Sequence, residues 1–166
     1  MINRYAFAGL CLAACVIVCG HASDAAPGPQ GESLASITSL SVVVEDISPE
    51  MRSLGLDPDV IRTDTEFRLR RSGIKVEAGP DRPWLCIMTQ HVDRGRSFYY
   101  FTVRVFFYQL GTLLSNGKTM YVITWDRRAI GGGGGKMTTD TIRHIRKSIS
   151  DMVDEFINDF LAANPK

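Results

Sequence analysis

Apolar residues in the last quarter of the chain recur at helical intervals. Ile142, Ile145, Ile149, Met152, Val153, Phe156, Ile157, Phe160 and Leu161 fall on one stripe with charged residues between them. That spacing predicts an amphipathic helix, which Thr138, Thr139 or Asp140 can cap. A helix of about 24 residues at ~1.5 Å per residue reaches ~36 Å. It can lie along a strand of about ten residues, ~33 Å long. Upstream the period changes to two. Trp84 to Val92, Ser97 to about Leu114, and Lys118 to Arg128 are β-branched and aromatic, and read as three strands. Asp93-Arg94-Gly95-Arg96 separates the first two. Asn116-Gly117 joins the last two and is the strongest hairpin signal, because both turn positions need positive φ. Gly111 marks an expected bend or bulge.

Earlier in the chain, Ser39 to Ile47 is a β-branched run and predicts another strand. Asp57-Pro58 opens a helix: the carboxylate caps free amides and proline at the first position loses no hydrogen bond. Gly73 stops it near Ser72. Its stripe of Val60, Ile61, Phe67 and Leu69 is irregular. Gly131 to Gly135 reads as a flexible hinge. The element order is β-α-β-β-β-α. It predicts an α+β two-layer sandwich: a four-stranded mixed sheet with two helices on one face. The first crossover makes its two strands parallel if they are neighbours.

Alternation assigns side chains to the two sheet faces. With two-residue turns at Arg94-Gly95 and Asn116-Gly117, Trp84, Cys86, Met88, Tyr99, Phe101, Val103, Val105, Phe107, Met120 and Val122 share a face suited to burial under the helices. Leu85, Ile87, His91, Phe98, Tyr100, Arg104, Phe106, Tyr108, Tyr121, Ile123 and Trp125 share the other. An open face is ordinarily polar. This one is aromatic, punctuated by Arg104, Thr102 and Thr124. Phe98, Tyr100, Arg104, Tyr108 and Trp125 are therefore the candidate partner-binding residues, for an envelope protein or for a second copy in a homodimer. The competing expectation is that the amino-terminal segment or the first helix covers this face, or that the bulge near Gly111 swaps some of its residues inward.

The amino terminus adds a compartment. Arg4 precedes an apolar run from Tyr5 to Gly20, and small residues follow at Ala22 and Ala25. This is the layout of a secretory signal peptide, shorter than the ~20 residues of a membrane span. The expected division is 1–22 signal peptide, 23–36 flexible linker rich in proline and glycine, and 37–166 a single domain of one core. Leu12-Ala13-Ala14-Cys15 has the pattern of a bacterial lipidation site, so Cys15 is the candidate lipid anchor. Periplasmic or secreted location by simple cleavage, and a membrane-anchored lipoprotein, both stand as expectations. Three of the four cysteines, Cys11, Cys15 and Cys19, lie in the leader. Cys86 is left without an internal disulfide partner and reads as a small buried hydrophobe.

Net charge is +1, with no basic stripe, which argues against nucleic acid as partner. Arg68, Arg70 and Arg71 read as complements to a helix carboxyl end. The glycine run fails as a phosphate loop, since Ile130 stands where the first glycine belongs and Met137 where a hydroxyl must hold magnesium. His91 and Asp93 form too small a set for zinc and read as solvated edge residues. No nucleophile elbow is present. No cofactor, metal or catalytic residue is expected. The alternatives to a non-enzymatic binding module are a small hydrolase whose site is invisible to sequence and a homodimeric structural component. Leu69-Arg70-Arg71-Ser72-Gly73-Ile74 and the ending Phe156-Ile157-Asn158-Asp159-Phe160-Leu161-Ala162-Ala163-Asn164-Pro165-Lys166 resemble an uncharacterised family of small exported bacterial proteins, over the domain after Leu56. That resemblance implies no activity. The architecture also resembles small α/β domains of envelope-assembly lipoproteins, a likeness of fold that carries no function.

Overall fold

The computed structural model describes residues 29–79, 82–93 and 97–165. The leader, Cys15, the cleavage site and the turn at Arg94–Arg96 lie outside the described residues. The elements are α1 (Pro29–Glu32), β1 (Ser41–Val44), α2 (Pro49–Ser53), α3 (Pro58–Arg71), β2 (Trp84–Asp93), β3 (Phe98–Thr112), β4 (Thr119–Gly134) and α4 (Thr139–Ala163). The sheet order is β1-β2-β3-β4. β1 runs parallel to β2, and the other pairs are antiparallel. This is the α+β mixed sheet with helices that the periodicity predicts. α1 and α2 are additional single turns.

Each long helix begins where its capping chemistry allows. Asp57 accepts the backbone N–H of Asp59 and Val60 at the start of α3. Gly73, at φ 84°, turns the chain out of it. Thr138 and Thr141 exchange side-chain to backbone hydrogen bonds in a capping box that starts α4,. α4 buries the predicted stripe from Ile142 to Phe160. α3 buries Ile61 and Leu69 of its predicted stripe together with Thr65, whereas Val60 and Phe67 remain exposed. The core joins these residues to Val42, Leu85, Ile87, Val103, Val105, Phe107 and Trp125 from the sheet, and to Met51 of α2. At its centre Phe156 packs against Phe107 and stands edge-on to Trp125, with ring centroids 5.3 and 5.1 Å away.

Two organisational expectations need correction. The described part of the expected linker, residues 29–36, is docked and not free. Leu34 is fully buried, and Asn164 at the end of α4 accepts the Ser36 N–H and donates to the Leu34 carbonyl. The proline and glycine there start a helical turn, and burial of Leu34 together with hydrogen bonds from Gln109 to the Ser33 carbonyl and from Arg127 to Gln30 holds it to the domain. The glycine run is not a hinge either. Gly131 to Gly134 complete β4 and pair with Phe101 to Phe98. Glycine is needed for clearance: a Cβ on Gly131 would sit 2.3 Å from the tip of the Phe101 ring, and one on Gly133 2.9 Å from the Tyr99 hydroxyl.

Candidate partner-binding face

The face of the sheet away from α3 and α4 is built in cross-strand rows. Val92, Tyr100 and Gly132 make one row, followed by Gln90, Thr102 and Ile130, then Met88, Arg104 and Arg128. Cys86, Phe106 and Asp126 come next, then Trp84, Tyr108 and Ile123, and last Leu110 and Tyr121. Phe98, Tyr100, Arg104 and Tyr108 therefore share this face, as alternation predicts. Trp125 does not. It is fully buried beneath α4, where its indole N–H donates to Asp159 Oδ2 at 2.8 Å.

The physical cause is a β-bulge. Phe107 pairs with Trp125, but Tyr108 pairs with Ile123, so Thr124 is the extra residue. Every residue of β4 after it changes face. The bulge lies here and not near Gly111. The Thr124 hydroxyl is used in place, accepting from Gln109 Nε2 at 2.7 Å.

β2 is reversed relative to expectation for a different reason. Asp93 pairs with Tyr99, so five residues, 94–98, lie between the paired positions where a two-residue turn leaves two. The register of a two-residue turn is lost, and a change of parity moves every side chain to the opposite face. Leu85 and Ile87 point into the core, whereas Trp84, Cys86 and Met88 join the open face. His91 also leaves it. Its Nε2 lies 2.8 Å from Glu50 Oε2 and its Nδ1 3.1 Å from the Ser48 hydroxyl, so it is tied to α2 and not a solvated edge residue.

Rings occupy one end of the face. Trp84 lies 5.1 Å from Tyr108 and 4.6 Å from Tyr121, and Tyr108 meets Phe106 edge-on at 5.3 Å. The Arg104 guanidinium lies 4.6 Å over Phe106. Tyr108 and Arg104 thereby cover Phe106, which is buried although no helix crosses this face among the described residues. At the other end Phe98 and Tyr100 meet edge-on at 5.1 Å, and Tyr100 is 52% exposed.

Charge is concentrated between the two ends. Arg104 and Arg128 stand directly opposite each other, an arrangement that is unfavourable for like charges. Asp126 resolves it, accepting from Arg104 Nε at 2.7 Å and from Arg128 Nη2 at 2.9 Å. Burial alone would raise the Asp126 pKa, but the two guanidinium bonds prevail and hold it below the ordinary carboxylate value,. The same bond from Asp126 raises the pKa of Arg104. Cys86 is buried beside Glu45. Burial first, then that carboxylate, push its thiol up to about 12, so it stays protonated and unreactive at neutral pH.

Trp84, Cys86 and Met88 are the residues of β2 on this face that alternation misplaced. Their side is set by the pairing of Asp93 with Tyr99 and not with Arg96, a register that local alternation does not carry. Ser48, His91 and Glu50 form a further arrangement that sequence did not bring together. They run in the order hydroxyl, imidazole, carboxylate, while the Ser48 oxygen also accepts the Met51 N–H as the α2 cap. Shallow hollows lie elsewhere, between α3 and α4, around Arg68 and Ile149 and around Arg71 and Asn158. No described helix is long and apolar enough to cross a membrane.

No family model and no curated protein matches the chain, in keeping with a resemblance that brought no characterised family. Among solved structures the chain is similar to a minor lipoprotein from Acinetobacter baumannii. That chain is 12% identical, with a TM-score of 0.39, and the match covers 78% of this chain and 94% of that one. It is also similar to a PelC dodecamer from Paraburkholderia phytofirmans, at 14% identity and a TM-score of 0.27, over 78% of this chain and 87% of that one. Likeness at these scores fixes no role.

Proposed function

We propose that the chain is an exported, envelope-associated, non-enzymatic module that binds another protein through the open face of its sheet. The observation that carries this reading is the row Tyr121, Trp84, Tyr108, Phe106 and Arg104, aromatic side chains with a cation on a face that no described helix covers. Trp, Tyr and Arg are the side chains that dominate binding energy at protein interfaces, where large rings lose few rotamers on being buried. Arg128, with its guanidinium partly exposed beside Asp126, favours a partner that sets a carboxylate opposite it. Export rests on the leader. Mass spectrometry of the mature amino terminus separates plain cleavage from a diacylated Cys15.

The test is site-specific photocrosslinking in cells. A photoreactive residue at Tyr100 or Ile123 is expected to give a discrete protein adduct, and one at Arg143 on the exposed side of α4 none. Adducts of equal yield from both sides, or none from the sheet, would overturn the reading. The order of Ser48, His91 and Glu50 supports a second reading, a small hydrolase. A fluorophosphonate probe that labels the chain, with labelling abolished in Ser48→Ala, would favour it.

A further inference from the structure

β4 forms one edge of the sheet, and only part of that edge is guarded. The Asp126 N–H and the Thr124 carbonyl point away from β3 and meet Gln30 Oε1 and the Ser33 hydroxyl of the α1 segment, at 3.5 and 3.2 Å. The Gly135 N–H points the other way, to the Ser97 carbonyl. Alternation therefore turns the N–H and C=O of Arg128, Ile130, Gly132 and Gly134 outward, and none has a hydrogen-bond partner among the described residues. Edge strands are ordinarily blunted by lysine, proline or a bulge. The bulge and α1 protect the stretch at 124–126, but from Arg128 to Gly134 there is neither lysine nor proline.

We infer that this edge, Arg128 to Gly134, pairs antiparallel with the same segment of a second copy about a two-fold axis at Gly131. The stretch is self-complementary. Its outward residues are symmetric about Gly131, so Ile130 falls opposite Gly132 of the partner subunit and Arg128 opposite Gly134 of the partner subunit. Each large side chain meets a residue that has none. Ile130, 73% exposed, lies over that glycine beside the partner's Tyr100. Arg128 comes into the row of the partner's Phe98. The two arginines stay ~20 Å apart along the strand at ~3.4 Å per residue. Tyr99 and Phe101 fill the space over Gly133 and Gly131 on the helix side, which leaves the edge flat. Pairing joins two four-stranded sheets into one and merges their Val92, Phe98, Tyr100 and Ile130 patches. This pairing is independent of what binds the open face.

The test combines sedimentation equilibrium with hydrogen exchange across ~1–500 µM protein. The expected result is a dimer in which the Ile130, Gly132 and Gly134 amides gain protection as concentration rises. Ile130→Lys should raise the dissociation constant at least ~10-fold and leave the circular dichroism of the monomer unchanged. A monomer throughout, with free exchange at Gly132, would overturn the inference. So would protection at Gly132 that is independent of concentration, since the chain's own amino-terminal segment would then fill the edge. A dimer that ignores Ile130→Lys and leaves Gly132 unprotected would place the contact elsewhere and equally overturn it. Crosslinks from the open face that survive in Ile130→Lys would keep the partner-binding reading standing alone.

Discussion

Trp125 separates the alternation pattern from the folded sheet, and replacing it measures which is right. On an open face, Trp125→Ala would cost little. In the structure the indole is fully buried, packs edge-on against Phe156 at 5.1 Å, lies 4.7 Å beneath the Arg127 guanidinium and donates to Asp159. Removing a buried tryptophan costs ~3–5 kcal/mol through lost transfer energy and the cavity left behind. Asp159 keeps its bond from Arg127 Nη2 at 3.1 Å, so no orphaned carboxylate adds to that figure. Trp125→Phe keeps most of the ring and loses the N–H donor, at ~1–2 kcal/mol. A domain of this size is stable by ~5–15 kcal/mol, so the alanine variant gives up a large share of the total. Its melting temperature should fall ~10–20 °C. Urea unfolding followed by far-ultraviolet circular dichroism, at fixed protein concentration, reads these differences directly. Combining Trp125→Ala with Phe156→Ala should show ~0.5–1.5 kcal/mol of coupling. A loss below ~1 kcal/mol for Trp125→Ala would mean that the bulge is misplaced and the face described here is wrong from Ile123 onward.

Gly131→Ala should destabilise by ~1–3 kcal/mol, because the added methyl must displace the Phe101 ring; a neutral result in urea unfolding would restore the hinge. Asp126 carries a lowered pKa in the fold, so its contribution is complete above the ordinary value of 3.8 and is lost as pH falls through the lower folded value. Asp126→Asn should cost about 1 kcal/mol at pH 7, partial exposure of both arginines keeping it small, and should flatten the fall in urea midpoint on acidification. An unchanged acid limb would refute the ion-pair account. Thr138→Ala removes the α4 cap and should cost ~1 kcal/mol by the same measurement. Tyr100→Ala should weaken partner capture while moving stability by less than ~0.5 kcal/mol, and an unfolded variant would make Tyr100 part of the core.

Local chemistry was legible wherever one segment decided its own outcome. The α4 stripe, the Asp57 cap, the Gly73 stop and the parallel pairing of β1 with β2 all follow from short-range spacing or simple connectivity. The faces were not legible in full, because parity is transmitted through connections. One longer connection reversed Leu85, Ile87 and His91 together, and one inserted residue reversed Trp125. Tyr100, Arg104 and Tyr108 kept their side because no irregularity falls within β3 itself. The glycine run was misread because composition reports backbone freedom but not the rings of Tyr99 and Phe101 that occupy the space above it. Leu34 was missed because a single apolar residue among small polar ones has no period.

Thr124 gives β4 an internal frame. Upstream of it, odd-numbered positions look outward from the domain; downstream, even-numbered ones do. Excising that single residue would leave the two segments out of phase, so that either Tyr121 and Ile123 are driven beneath α4 or Trp125 and Ala129 are expelled from it. The strand should therefore tolerate many exchanges of one side chain for another and almost no change in its number of links, a constraint that belongs to the spacing of the backbone and to no individual side chain.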